Sequence, residues 1–345
     1  MQSEAKAGVV YRSPSMSDVL LLSRHDLVAT LDFRSTIDAL EAAFHAERRG
    51  EWNTPHRITA HAKAGGLLAM PCAGGANEAL GAKLVTTFSG NPARGLPSVS
   101  GLYALFNPAT GEPQAVMDGA YLTLVRTAAV SAFATRLLSR PETETLGILG
   151  AGAQAEFHVR LVATVRPIRR VVIWSRRSSQ ADALVRSLKE CPDLGQIDEW
   201  RLAEDACEAA QCDVVVTATA ATEPVLQGDW LRLGCHVNAI GAHTRTTREI
   251  DTRAVMRANT LAVETADTLA EAGDLQIAHR ESGDVVDRVK SLGALADPAR
   301  PHGPRDSHAI SIFKSCGVAF EDLAVAALAY ERARAQNLGT PFVFR

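Results

Sequence analysis

No run of lysine or arginine in this sequence is long enough to follow a phosphate backbone, and its 39 Asp and Glu nearly cancel its 36 Lys and Arg. Nucleic acid is therefore excluded as an expected partner, because binding a polyanion depends on clustered positive charge. There is also no CxxC pair and no Cys/His spacing of the metal-ligating kind; Cys72, Cys191, Cys207, Cys212, Cys235 and Cys316 are scattered. The expectation is reduced thiols serving as small core side chains, with neither a disulfide frame nor a metal site. No apolar stretch has the length of a membrane span, and Met1 to Ser17 is polar, without the apolar segment of a secretory leader. A cytoplasmic location without a membrane partner is expected. Repeats and low-complexity tracts are lacking too. The one long irregular stretch, Ala296 to Ser307, carries three prolines and a glycine and reads as an exposed loop.

What the chain does contain is apolar surface for two cores: 345 residues, 46% of them hydrophobic. A polar start at Ser23 leads into Ile37, Leu40, Ala43 and Phe44 at helical spacing, which predicts one amphipathic helix over Ser23 to Arg49. From Arg57 to Met117 the apolar runs shorten to Gly66–Met70, Gly81–Phe88 and Val99–Phe106, divided by Gly90-Asn91-Pro92 and Asn107-Pro108. These are predicted strands of a mostly antiparallel sheet. After Asp118 an Ala-rich helical stretch, Leu124 to Leu138, precedes strands that alternate with helices. The predicted strands are Thr145 to Leu149, Arg170 to Trp174, Asp213 to Thr217, His236 to Ile240 and Thr260 to Glu264, short apolar runs suited to a parallel sheet covered on both faces. A further amphipathic helix, Phe320 to Ala335, is expected to return to the first domain.

The strand Thr145 to Leu149 runs directly into Gly150-Ala-Gly152-Ala-Gln-Ala155, a GxGxxA at the start of a helix. Each small residue has a task. Gly150 permits the tight turn, Gly152 lets the backbone approach a pyrophosphate, and Ala155 lets the helix pack on the strand. The first-turn residues Ala153 and Gln154 then aim free N–H groups and the positive helix end at the phosphates. Where an acidic residue would receive the ribose hydroxyls of NAD, at the end of the second strand, stand Ser175, Arg176 and Arg177. A carboxylate there would repel a 2′-phosphate, whereas guanidinium groups pair with one. The cofactor reading is NADPH, with NADH as the alternative.

Three cations sit among apolar or small residues at the edges of predicted elements: Arg57, Lys83 and Arg126. A buried cation needs a counter-anion, which is either a protein carboxylate or, where the three converge, a substrate carboxylate.

Taken in order, Leu67-Leu-Ala-Met-Pro71, Gly81-Ala-Lys83, Leu124-Val-Arg-Thr-Ala128, the Gly-Ala-Gly-Ala-Gln loop, Asn238-Ala-Ile-Gly241, Glu271-Ala-Gly-Asp274 and Glu321-Asp-Leu323 resemble the ornithine cyclodeaminase/mu-crystallin family, from about Leu20 onward. The resemblance implies an α/β fold: a Rossmann dinucleotide-binding domain over residues 128–320, and an α+β substrate-binding and dimerisation domain over 1–127 with 321–345. It implies a homodimer. It also implies that Arg57, Lys83 and Arg126 hold a substrate carboxylate, that Met70 and Ser98 line the pocket, and that Thr127, Thr217, Ile240 and Ser315 lie along the cofactor.

Two positions depart from the ornithine cyclodeaminases, which resemble this chain but carry acidic residues where it has His243 and Leu68. Losing both carboxylates removes the groups that would position and deprotonate a diamine. The resemblance then favours the family's imine reductases: NADPH-dependent reduction of cyclic ketimine 2-carboxylates, Δ1-pyrroline-2-carboxylate and Δ1-piperideine-2-carboxylate, to L-proline and L-pipecolate. His243 is one candidate for the proton donor, imidazole being a common acid in catalysis; Lys83 or water is the other. The alternatives are NAD-dependent ornithine cyclodeamination, an amino-acid dehydrogenase of the alanine dehydrogenase type, and a non-enzymatic small-molecule binder.

Overall fold

The computed structural model describes residues 18–76, 78–297 and 306–343. Most of the proline-bearing loop expected at 296–307 lies outside them.

Two eight-stranded sheets organise the chain. The first runs in the order Thr340–Phe342, Val19–Leu22, Pro113–Asp118, Val99–Phe106, Ala79–Thr87, Gly65–Gly74 and Trp52–Asn53, with Ile58–Ala62 also paired to Gly65–Gly74. It is antiparallel apart from the pairing of Val19–Leu22 with Pro113–Asp118. The second is wholly parallel, in the order Glu199–Leu202, Arg170–Trp174, Thr145–Leu149, Val214–Thr217, His236–Ala239, Ser311–Lys314, Thr260–Val263 and Val289–Ser291. This doubly wound parallel order is that of a Rossmann domain. All five strands expected there are present to within a residue at either end. Ser311–Lys314, a buried strand that the sequence reading did not assign, fits between two strands that precede it in the chain.

Helix Gly119–Leu138 packs against both sheets. Its Val125, Ala128, Ala129, Ala132 and Phe133 are fully buried, the pattern of a helix with neighbours on every side. The expected single helix at Ser23 to Arg49 is instead two, Arg24–Thr30 and Phe33–Arg48. Asp32 breaks it: its extended backbone and its carboxylate, which accepts from Ser35 N, start a second helix. The last helix, Ala319–Gln336, returns to the first sheet as expected and packs on Gly65–Gly74 and Ala79–Thr87. Phe320 at its start stacks with Trp52 at 5.8 Å and meets Phe44 edge-on at 5.1 Å, so truncating it to Ala would cost about 3–5 kcal/mol. All six cysteines are free thiols, and among the described residues no helix is long and apolar enough to cross a membrane.

Candidate active site between the two sheets

Because the second sheet is parallel, the C-terminal ends of its strands share one edge, and the glycine-rich turn lies on it. Gly150 has φ +118°, and a Cβ there would fall 2.4 Å from the carbonyl oxygen of Ala218, so the turn requires glycine. Gly152 caps helix Ala153–Val165 with extended backbone, no side chain caps that helix, and nothing lies within 4 Å of where its Cβ would stand. Ala155 is fully buried. An open approach, uncapped N–H groups at Ala153 and Gln154 and a helix packed through a methyl group together fit a dinucleotide pyrophosphate. Past the neighbouring strand, Ser175 is half-buried while Arg176 and Arg177 are exposed. Among the described residues neither guanidinium has a carboxylate partner.

Two buried carboxylates brace the same edge, and the sequence reading assigned a role to neither. Glu249 accepts from Thr217 Oγ1 at 2.8 Å, Thr219 N at 2.6 Å, Thr219 Oγ1 at 2.7 Å and Gly241 N at 2.6 Å, joining the ends of adjacent strands. Ile240 lies between two of these contacts in the chain. Glu264 accepts on Oε1 from Ser315 Oγ at 2.7 Å and from Cys316 N and Gly317 N at 2.8 Å each, which shapes the turn from the last strand of the second sheet into the final helix. Thr217 and Ser315 thus reach this edge with their hydroxyl protons directed into protein carboxylates. Thr127 is buried beside Arg126 on helix Gly119–Leu138.

The three cations gather around that turn, and their counter-anions are protein carboxylates. Lys83 Nζ meets Asp322 Oδ2 at 2.7 Å; Arg126 meets Asp322 Oδ1 through Nε at 2.9 Å and Glu321 Oε2 through Nη1 at 2.8 Å. All four side chains are buried. Burial pushes the Lys83 ammonium down to about 8, helped by Arg126 and opposed by Asp322, and burial beside Glu264 and Asp322 pushes Glu321 up to about 8 against the pull of Arg126. Arg57 is less buried. Its Nη2 pairs with Glu271 Oε2 at 2.6 Å and donates to Gly317 O at 3.1 Å.

Arg57 and Met70 line a cavity of about 270 Å³ between the sheets. Trp52, Met70 and Phe320 contribute apolar lining, Thr265, Asp267, Thr268 and Glu271 contribute polar lining from the second domain, and Gly317 and Val318 complete it. Lys83 and Arg126 stand one layer behind, bonded to the residues that follow Phe320. Ser98 is exposed at the end of the hairpin, its carbonyl accepting from Phe88 N, and does not line the cavity. Nor does His243, which is exposed on the loop after His236–Ala239 with Nδ1 3.2 Å from Gly241 O. That loop is tied down by buried Lys314, which donates to Ala239 O and Ala242 O and pairs with Asp274 at 3.0 Å.

Comparison with known proteins agrees with this architecture. A Delta(1)-pyrroline-2-carboxylate reductase from Bacillus cereus is 35% identical over 280 residues, 80% of this chain and 84% of that protein. The structure of Thermococcus litoralis Delta(1)-pyrroline-2-carboxylate reductase in complex with NADH and L-proline superposes with a TM-score of 0.88 at 34% identity, over 93% of this chain and 99% of that one. An archaeal alanine dehydrogenase dimer with bound NAD gives 0.87 at 31% identity, over 95% and 100%. The family model for the ornithine cyclodeaminase/mu-crystallin family matches residues 17–337. With a Rossmann edge suited to a dinucleotide and a cavity lined by Arg57 near it, the chain belongs to the ornithine cyclodeaminase/mu-crystallin family and is an NAD(P)H-dependent oxidoreductase.

Proposed function

We propose that the protein reduces Δ1-pyrroline-2-carboxylate and Δ1-piperideine-2-carboxylate to L-proline and L-pipecolate at the expense of NADPH. The observation that carries this reading is the cavity itself, which one guanidinium, Arg57, lines together with the apolar side chains of Trp52, Met70 and Phe320 beside the strand ends of the Rossmann sheet. A carboxylate on a hydrocarbon ring matches that pairing of charge and apolar surface. The activities named for the B. cereus and T. litoralis relatives support it.

The dinucleotide, when bound, supplies the hydride. Gly150, Gly152, Ala153 and Gln154 would hold its pyrophosphate, Ser175, Arg176 and Arg177 its 2′-phosphate, and Thr127, Thr217, Ile240 and Ser315 the remainder. The T. litoralis enzyme is in complex with NADH; the preference for NADPH here rests on two guanidiniums with no carboxylate partner among the described residues and the lack of an acid at the second strand end. We assign residues 128–320 to the cofactor domain, and 1–127 with 321–345 to the substrate and dimer domain. Lys83 and Arg126 lie a layer behind Arg57, and a substrate carboxylate drawing on all three would loosen their bonds to Asp322 and Glu321.

A homodimer is part of the reading. Ile58, Leu67, Leu84 and Leu102 are exposed on one face of the first sheet, Ile58, Leu84 and Leu102 in a single row across it through Ala69. An apolar row on a sheet face is a surface for a second copy of the chain.

Purified protein supplied with NADPH and either cyclic imine should oxidise the cofactor and form the cyclic amino acid. Ornithine with NAD should yield no ammonia. Release of ammonia and proline from ornithine without imine reduction would reject the proposal, and strict dependence of reduction on added ammonia, with an open-chain 2-oxo acid as substrate, would transfer it to the alanine dehydrogenase type that the archaeal structure represents.

A further inference from the structure

Arg57, just before strand Ile58–Ala62, and Glu271, just after helix Ala266–Leu269, both line the cavity and meet at 2.6 Å with side chains 20% and 32% exposed. Both are held from behind. Arg57 donates to Gly317 O, on the turn shaped by Glu264. Glu271 follows helix Ala266–Leu269, its N–H bonded to Thr268 O at 3.0 Å. Three positions on, buried Asp274 accepts from Glu249 N at 2.6 Å and Ile250 N at 2.9 Å and pairs with Lys314. A cation and an anion are therefore fixed side by side, partly shielded from water, in a cavity with apolar lining.

We propose that this pair is the receptor for the substrate in its protonated, iminium form: Arg57 takes the 2-carboxylate and Glu271 takes the ring N–H. The inference rests on the imine reductase reading and deepens it. In a cyclic iminium 2-carboxylate, the negative and positive groups are attached to the same carbon. When such a zwitterion enters between Arg57 and Glu271, each protein charge exchanges its partner for another of opposite sign, and no charge is left uncompensated in a partly dry site. A 2-oxo acid offers Glu271 an oxygen lone pair instead, which is repulsive. Glu271 is then the carboxylate that reads nitrogen against oxygen, a task which neither His243 nor Leu68 performs from its place in the fold.

The chemistry balances without a further acid. The iminium carbon accepts a hydride from the reduced nicotinamide, the π electrons of the C=N bond become the nitrogen lone pair, and the cationic iminium becomes a neutral secondary amine that keeps its proton. Glu271 gives up no proton in this step; its part is to bind the ring N–H and favour the charged substrate.

The test compares the wild type with Glu271→Gln and Glu271→Asp in two assays. One is steady-state reduction of Δ1-pyrroline-2-carboxylate. The other is calorimetric binding of L-proline, which carries carboxylate and nitrogen, against cyclopentanecarboxylate, which keeps the ring and loses the nitrogen. Glu271→Gln should lower kcat/KM and weaken L-proline by about 10- to 100-fold, the range for one charge-assisted hydrogen bond, while cyclopentanecarboxylate binds as well or better because Arg57 has lost its competitor. Glu271→Asp should recover part of the loss. Equal weakening of both ligands, or unchanged turnover in Glu271→Gln, would overturn the receptor and leave the imine reductase reading intact. A wild type that reduces no cyclic imine and binds L-proline no better than cyclopentanecarboxylate would overturn both.

Discussion

Replacing Asp322 by Asn tests whether the charge cluster behind the cavity is organised as described. Asp322 is fully buried and is shared by Lys83 at 2.7 Å and Arg126 at 2.9 Å. Arg126 cannot shed its proton, so losing the carboxylate on its Nε should cost about 1.5–3 kcal/mol, with the Glu321 carboxyl group remaining at 2.8 Å. Lys83 can deprotonate instead. Its folded-state pKa is already down to about 8, so neutralising it at pH 7 adds about 1.4 kcal/mol, and its share is capped there. The sum is about 3–4 kcal/mol at neutral pH, close to the range for breaking a buried ion pair. The pH dependence carries a sign. The unfolded lysine keeps its proton at these pH values, so stability is lost as pH falls for as long as folded Lys83 is neutral. That loss levels off below about 8 in the wild type, where Asp322 lets Lys83 charge, but continues further in the variant. Glu321, also raised to about 8, loses the like charge of Asp322 in the variant, a relief that is larger where Glu321 is ionised. Both groups act in the same direction, so denaturant midpoints should show a larger deficit at about pH 7 than at about pH 9. A deficit below about 1 kcal/mol, or one identical at both pH values, would refute this account of the cluster.

Other outcomes follow from the same structure. Changing Arg176 and Arg177 together to Ser should raise the KM for NADPH about 10- to 100-fold and leave that for NADH nearly unchanged; equal effects in cofactor titrations would reject phosphate pairing. His243→Ala should keep kcat within about threefold, since the imidazole is exposed and off the cavity wall, and a pH–rate profile that lost one limb in this variant would restore it as the proton donor. Leu84→Lys places a charge in the centre of the exposed apolar row and should convert a dimer into a monomer by sedimentation. A monomeric wild type would remove that proposal.

Features whose cause is local were legible in the sequence. The glycine turn, the strands that bracket it and the uncapped helix are set by neighbours a few residues away, and the parallel strands announce themselves as short apolar runs because both faces are covered. Ser311–Lys314 went unassigned because its partners, His236–Ala239 and Thr260–Val263, are distant in sequence and its run is only four residues long. Ile58–Ala62 carries no burial pattern, since every residue in it is exposed. The three cations could be singled out as lone charges among apolar residues. Their partners could not: Arg126 and Asp322 are 196 positions apart, and nothing local links Arg57 to Glu271. Glu271, Glu321 and Asp322 stood inside motifs that matched the family, so the signal was present as residue identity, while their tasks depend on how the two sheets face each other.

The most direct measurement follows a label. Protein supplied with NADPH carrying deuterium at the transferable position and with unlabelled Δ1-pyrroline-2-carboxylate should yield proline with one deuterium on the carbon that bears the carboxylate, of L configuration, as read by mass spectrometry and chiral chromatography. Proline without the label, or label in proline formed only when ornithine is supplied, would contradict direct hydride transfer to a cyclic imine.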